Sequence, residues 1–238
     1  MKLKYITFTG IDDYTEVSRL GSLTAKYPYA EFGLLVSKDW MENGYRFPDP
    51  EIIWDLANLW SNHSVSLSCH LCGSLAKEAA QGDFSNVFSL VPSELFGIFT
   101  RFQLNVSPIG IFDVLHWMPK KEFEVIVQMP SPEVCHKFLK GGSPTGMSYL
   151  LDGSGGRGID TPVRILEVPE EIHIGYAGGI GSDNVEYKLR SLLSHPSNNV
   201  FWIDMESRVR TEDNKFDLDE VEKVLEISDK VLKEFGNF

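Results

Sequence analysis

Apolar residues along this chain fall into short runs, each followed by a longer stretch in which they return every three or four positions. Short runs match strands, and the longer period matches one face of a helix. Strands are predicted over residues 5–11, 30–37, 65–72, 101–107, 123–129, 147–153, 173–179 and 200–206. Helices are predicted over 14–27, 50–61, 74–81, 109–118, 132–140, 184–194 and 218–235, with a weaker pattern over 162–168. The last is the clearest: Leu218, Val221, Val224, Leu225, Ser228 and Leu232 fall near one face, with acids and lysines opposite.

Strands that alternate with helices pair in parallel through right-handed crossovers. Eight such units in 238 residues fit a closed (β/α)8 TIM barrel, with a doubly wound open sheet as the alternative. No Gly/Ser/Pro tract or shift of composition divides the chain, so residues 1–238 are read as one domain. Residues 81–97 exceed a minimal connection, and the run PSEL from Pro92 predicts an extra helical turn there. Gly141 to Pro144 reads as a loop. In a barrel, chemistry gathers where the carboxyl ends of the strands meet the βα loops. That rule selects Thr9 and Gly10, Ser37 with the loop to Arg46, His70, Asn105, Gln128, Asp152, the pair Gly178-Gly179, and Asp204 to Arg208.

Charge narrows the partners. A formal net charge of -12 argues against broad attraction to nucleic acid or to an anionic membrane surface. An anionic ligand then needs a local pocket of basic groups or backbone donors. No run approaches the roughly 18 apolar residues of a membrane span. The opening MKLKYITFTG lacks the apolar core and cleavage site of a signal peptide, so a cytosolic location is expected. Three cysteines, Cys69, Cys72 and Cys135, leave an odd number and no disulfide framework, which fits a reducing compartment. The string CHLC offers zinc-type ligands, but along a strand Cys69 points away from the face that His70 and Cys72 share. Two ligands do not make a structural zinc site, so no metal is expected.

The stretch GYAGGIGSDNV from Gly175 sets two glycines after an apolar run and Ser-Asp-Asn at the head of a helix. Such a turn serves either as a strand-to-helix link or as a phosphate cradle of backbone N–H groups. Around it, several strand ends resemble, in order, those of phosphoribosylanthranilate isomerase, a family of ribulose-phosphate-binding barrels. FTGI (8–11) resembles the family's K-[IV]-C-G-I, and QLN (103–105) its QLH. LLDGSGGRG (150–158) resembles its LLD with a glycine-rich loop, AGGIGSDNV (177–185) its SGGLxPxNV, and IDMES (203–207) its VDVSSGVE.

The resemblance implies an Amadori rearrangement in tryptophan biosynthesis, in which an N-linked ribose phosphate becomes a 1-amino-1-deoxyketose without metal or organic cofactor. An acid protonates the furanose oxygen and a base removes the proton on C2, the division of labour of general acid–base catalysis. Asp152 falls where the family has its acid; its alternative is to cap the glycine-rich loop. Thr9 stands where the family has its basic cysteine, and a threonine hydroxyl is no base near neutrality. His70, Asp204 and Glu206 are the substitutes within reach. Gly178, Gly179 and Ser207 match positions that bind the phosphate, and Arg208 replaces a family glycine beside them. Glu206 replaces a serine and repels phosphate, which Arg208 offsets. Arg46 resembles the basic segment after the second strand, and Asn105 and Asp204 complete the expected substrate contacts.

Two alternatives accompany this expectation. One is a barrel that binds a phosphorylated small molecule without turnover. The other, suggested by HLC against the HLM of ribulose-phosphate 3-epimerases, is a metal-dependent pentose-phosphate epimerase.

Overall fold

A computed structural model of the chain describes residues 1–38, 46–106, 123–140 and 146–236. Its strands are β1 (Lys2–Thr9), β2 (Ala30–Val36), β3 (Ser66–Leu71), β4 (Arg101–Leu104), β5 (Glu124–Met129), β6 (Met147–Asp152), β7 (Ile174–Ala177) and β8 (Val200–Met205). They pair in parallel, in sequence order, and β1 pairs with β8 to close the ring. The expected (β/α)8 barrel is therefore the fold, and the sheet has no open edge.

Around it lie α1 (Val17–Lys26), α2 (Ile52–His63), α3 (Gly73–Ala80), α4 (Ser85–Leu90), a 3-10 turn (Ser93–Ile98), α5 (Pro132–Leu139), α6 (Val185–Leu193) and α7 (Leu218–Glu234). Local chemistry sets several of these starts. Pro132 occupies the first turn of α5, and Ser131 accepts a hydrogen bond from Val134 N at 3.3 Å. Asp217 caps α7 by accepting from Asp219 N at 3.0 Å and Glu220 N at 3.1 Å. The extra turn expected from PSEL exists, preceded by the unforeseen α4. The helix predicted over 109–118 and the loop at 141–144 lie outside the described residues.

The pattern at 162–168 misled. No helix forms between β6 and β7 among the described residues. Pro162 and Pro169 bracket the segment, and Val163, Ile165 and Val168 pack against the core from a stretch without regular secondary structure. Beta-branched residues flanked by prolines disfavour a helix there. No described helix is long and apolar enough to cross a membrane.

The main apolar core lies between the sheet and the helices. The barrel interior is different, because the inward positions of several strands are polar. Arg101 and Glu31 are both buried, with Nη1 donating to Oε2 at 2.8 Å. Thr7 Oγ1 donates to the same Glu31 oxygen at 2.8 Å, and Arg101 Nε lies 3.5 Å from Glu124 Oε2. The Arg101 guanidinium sits 4.3 Å above the Trp202 ring and 5.2 Å from that of Tyr5, a cation–π sandwich. Trp202 in turn packs with Ile126 and Leu150 as a small separate apolar plug, directly against Gly175, where any Cβ would collide with the indole.

Removing one member of a buried ion pair leaves the other charge uncompensated, at a cost of about 3–5 kcal/mol. Arg101→Met is therefore expected to lower unfolding stability by about that amount in urea titrations, with Arg101→Met/Glu31→Leu recovering part of the loss.

Candidate active site

A cavity of about 330 Å³ opens at the carboxyl ends of the strands. Thr9, Arg46, His70, Asn105, Asp152, Gly178, Gly179, Asp204, Ser207 and Arg208 all line it. The residues to which the resemblance gave a role are thus gathered at one mouth, whereas Gly10 and Ser37, which the barrel rule also selected, do not line it. Gln103, Cys72 and Phe47 line it too and were not anticipated. The period-two rule would have found the first two, since Gln103 shares a face with Asn105 and Cys72 with His70. Cys69 is buried in the outer core instead, as that alternation requires.

The floor of the cavity joins the first and last strands. Thr9 Oγ1 donates to Asp204 Oδ1 at 2.9 Å, and Asp204 Oδ2 is buried with no hydrogen-bond partner among the described residues. Burial raises the Asp204 pKa well above the ordinary carboxylate range; Glu31 and Glu206 add to this, while Thr9 and Arg101 oppose it. The protonated form of Asp204 is favoured by that burial. Gly33 completes the floor, because a Cβ there would lie 2.8 Å from Thr9 Oγ1 and 3.0 Å from His70 Nε2.

His70 is buried, and its Nε2 is 3.1 Å from Ser68 Oγ. Burial, helped by Arg101, pushes its pKa down to about 3, so it is a neutral ring and a poor base. Cys72 receives a hydrogen bond from Asn105 Nδ2 at 3.2 Å. Burial pushes its thiol up to about 12, which denies it the role of the absent cysteine at β1. Asn105 is itself held by Gln103 Nε2, which donates to its Oδ1 at 2.9 Å. No group of three His, Cys, Asp or Glu among the described residues is arranged to hold a metal ion.

Asp152 occupies the end of β6 and accepts four hydrogen bonds. Ser154 N (2.9 Å) and Ser154 Oγ (2.7 Å) donate to Oδ1; Gln128 Nε2 (2.8 Å) and Gly156 N (2.5 Å) donate to Oδ2. The carboxyl group thus both caps the glycine-rich loop and faces the cavity.

On the β7 side, Gly178 and Gly179 have φ of +111° and +59°, conformations that glycine adopts without strain. A Cβ on Gly179 would strike the backbone of Ile159 and Asp160, so the pair also lets the β6–β7 segment pass close by. Among the described residues their N–H groups donate to no protein acceptor. The next amides are used: Gly181 N donates to Asn184 Oδ1 at 3.0 Å and Ser182 N to Glu220 Oε1 at 3.1 Å. At the rim, Arg208 pairs with Asp183, and Arg46 Nη1 meets Glu206 Oε1 at 2.6 Å. Burial raises the Glu206 pKa despite the pull of Arg46 and Arg210. Arg210 itself pairs with the buried Asp12 at 2.8 Å and donates to Gly10 O at 2.8 Å, which ties the β8 loop to the β1 loop.

The His70 environment has a stability consequence. Its folded pKa lies below the ordinary histidine value near 6.5, so the folded state binds fewer protons than the unfolded chain between about pH 6.5 and 3. The contribution of His70 is intact above pH 6.5 and is lost as pH falls, at up to about 1.4 kcal/mol per pH unit. An NMR titration of the ring is expected to show no protonation between pH 8 and 5, and His70→Gln to flatten the acid limb of stability against pH.

No family model matches the chain, and no curated protein matches it. Solved structures do. Phosphoribosyl anthranilate isomerase from Thermus thermophilus superposes with a TM-score of 0.59 over 97% of this chain and 100% of its own, at 15% identity. A truncated 3-deoxy-D-arabino-heptulosonate 7-phosphate synthase from Thermotoga maritima gives 0.55 over 99% of this chain and 88% of its own, at 10% identity. Such low identities speak to fold, and the chain is a (β/α)8 barrel built like that of phosphoribosylanthranilate isomerase.

Proposed function

We propose that this protein isomerises a phosphorylated ribose adduct by an Amadori rearrangement of the phosphoribosylanthranilate isomerase type. One observation carries the reading: two carboxyl groups in contrasting environments, Asp152 and Asp204, face the same cavity as the unpaired amides of Gly178 and Gly179. A sugar phosphate needs that combination, anion donors at one wall and proton-transfer groups at the reacting carbons. The ester phosphate binds at Gly178, Gly179, Ser207 and Arg208, the position after strands seven and eight that barrels commonly use. Arg46 and Asn105 contact the remainder of the ligand. Thr9 holds Asp204 rather than acting as a base, and neutral His70 shapes the floor. The setting proposed is cytosolic, with no metal or organic cofactor in the reaction and without partners among nucleic acids or membranes.

A second reading has its own support. Thr9 in place of the family's cysteine, a protonated Cys72 thiol and an uncharged His70 together leave the first-strand side without a ready base, which suits a barrel that binds phosphosugars without turnover. The epimerase alternative has no three-donor ligand set among the described residues.

Adding N-(5-phosphoribosyl)anthranilate is expected to produce an enzyme-dependent loss of substrate fluorescence. Arg208→Ala is expected to raise KM about tenfold, the scale of one charge-assisted hydrogen bond. Ribose 5-phosphate at a hundred times its Kd would stabilise the fold by about 2.7 kcal/mol. Stabilisation without turnover would favour the binding reading, and the absence of both would overturn the two together.

A further inference from the structure

We propose that Asp204 is the acid of this rearrangement and Asp152 its base, the reverse of the role that the family resemblance gives Asp152. The assignment rests on the isomerase reading of the cavity and on how each carboxyl group is held. Thr9 Oγ1 donates to Asp204 Oδ1, which makes that oxygen an acceptor. A proton on this side chain therefore sits on Oδ2, the oxygen without a partner. A buried O–H with nothing to receive it is an incomplete site, and an ether oxygen of a ligand completes it. Asp152 is the opposite case. All four of its hydrogen bonds arrive from donors, so both oxygens act as acceptors.

The electrostatic surroundings agree. Asp204 is faced by Thr9 from β1, Glu31 from β2, His70 across Gly33 from β3, Arg101 from β4 and Glu206 beyond the end of β8. Burial outweighs the favourable neighbours, Thr9 and Arg101, and the two glutamates reinforce it. A carboxyl group with one buried oxygen left without a partner and another whose two oxygens are both held by donors make a contrasting pair of the kind acid–base catalysis uses.

The chemistry balances without a co-reactant. Asp204 Oδ2 gives its proton to the furanose oxygen as the bond from C1 to that oxygen breaks; the bonding pair stays on oxygen, and the nitrogen lone pair forms C1=N. Asp152 Oδ2 then removes the C2 proton, and the C–H pair forms the C1=C2 enol-amine as the C1=N electrons return to nitrogen. At rest that oxygen accepts from both Gln128 Nε2 and Gly156 N, and of these the Gln128 side chain, which lines the cavity, is the one that must give way to the C2 hydrogen. Moving the enol proton from O2 to C1 yields the aminoketose, and proton return from Asp152 to Asp204 through solvent restores the enzyme.

The test is the pH dependence of kcat/KM with N-(5-phosphoribosyl)anthranilate for the wild type, Asp204→Asn, Asp152→Asn and Thr9→Val. An acid must hold its proton, so wild-type activity falls at high pH. Asp204→Asn is expected to lose about 10²–10⁴ in rate and to abolish that alkaline limb. Asp152→Asn is expected to lose as much while keeping the alkaline limb and abolishing the acid one. In Thr9→Val, loss of the donor that favours ionised Asp204 is expected to move the alkaline limb to higher pH, so an unmoved limb counts against the proposal even if Asp204→Asn does not fold. An alkaline limb that survives Asp204→Asn, or disappears in Asp152→Asn, overturns the assignment and leaves the isomerase reading standing. A wild type that ribose 5-phosphate stabilises but that turns over nothing overturns both.

Discussion

Closure of the sheet between β1 and β8 is the constraint on which the rest depends. The register runs from Lys2 opposite Val200 to Phe8 opposite Met205, with one irregularity between Leu3 and Tyr5. Backbone hydrogen bonds along that seam remove the free edges that an open sheet would expose. They also bring Thr9 to Asp204 across 195 positions of sequence. Without the seam, the first strand's hydroxyl and the last strand's carboxyl would belong to opposite ends of a sheet, and no cavity floor would exist.

The seam encloses an interior that departs from the branched aliphatic layers common in such barrels. Arg101, Glu31 and Glu124 form a charged network at the amino-terminal end, Thr7 and Trp202 lie among them, and Asp204 and His70 stand toward the cavity. A buried pair contributes little net stability against an apolar replacement, because desolvation offsets most of the Coulomb attraction. Its effect is felt above. Arg101 pushes His70 toward the neutral ring and draws Asp204 toward ionisation, whereas Glu31 draws Asp204 the other way. Burial does most to set the protonation of the site and the polar interior adjusts it, while the apolar shell between sheet and helices holds the fold.

Side chains of one type take different chemical characters here according to what surrounds them. Asp12 is an ion-pair partner locking two loops together, Asp152 is a four-fold acceptor, and Asp204 is a buried carboxyl group with one oxygen left without a partner. Cys69 and Cys72, three residues apart, fill the outer core and the cavity wall respectively, and burial keeps both thiols protonated. Among the rim arginines, Arg46 and Arg208 each face an acid across a partly exposed pair. The amides of Gly178 and Gly179, by contrast, donate to no backbone acceptor among the described residues.

Much of this was written locally. Alternating apolar runs with helical stretches determined strand count, parallel pairing and the helix at 218–234, because periodicity of two or 3.6 follows from backbone geometry alone. The barrel rule then named strand ends, and the period of two along β3 separated Cys69 from His70 and Cys72. Proline and beta-branching at 162–169 held the signal against a helix, but a weak apolar period masked it. What sequence could not supply was environment. The unpartnered Asp204 Oδ2, the Gln128 donor on Asp152 and the depression of His70 depend on what other strands pack around them, whereas the other three donors on Asp152 come from its own loop, at Ser154 and Gly156. Desolvation and Coulomb interactions depend on distances that only the closed ring fixes, so the residues lining the cavity were legible and their environments were not.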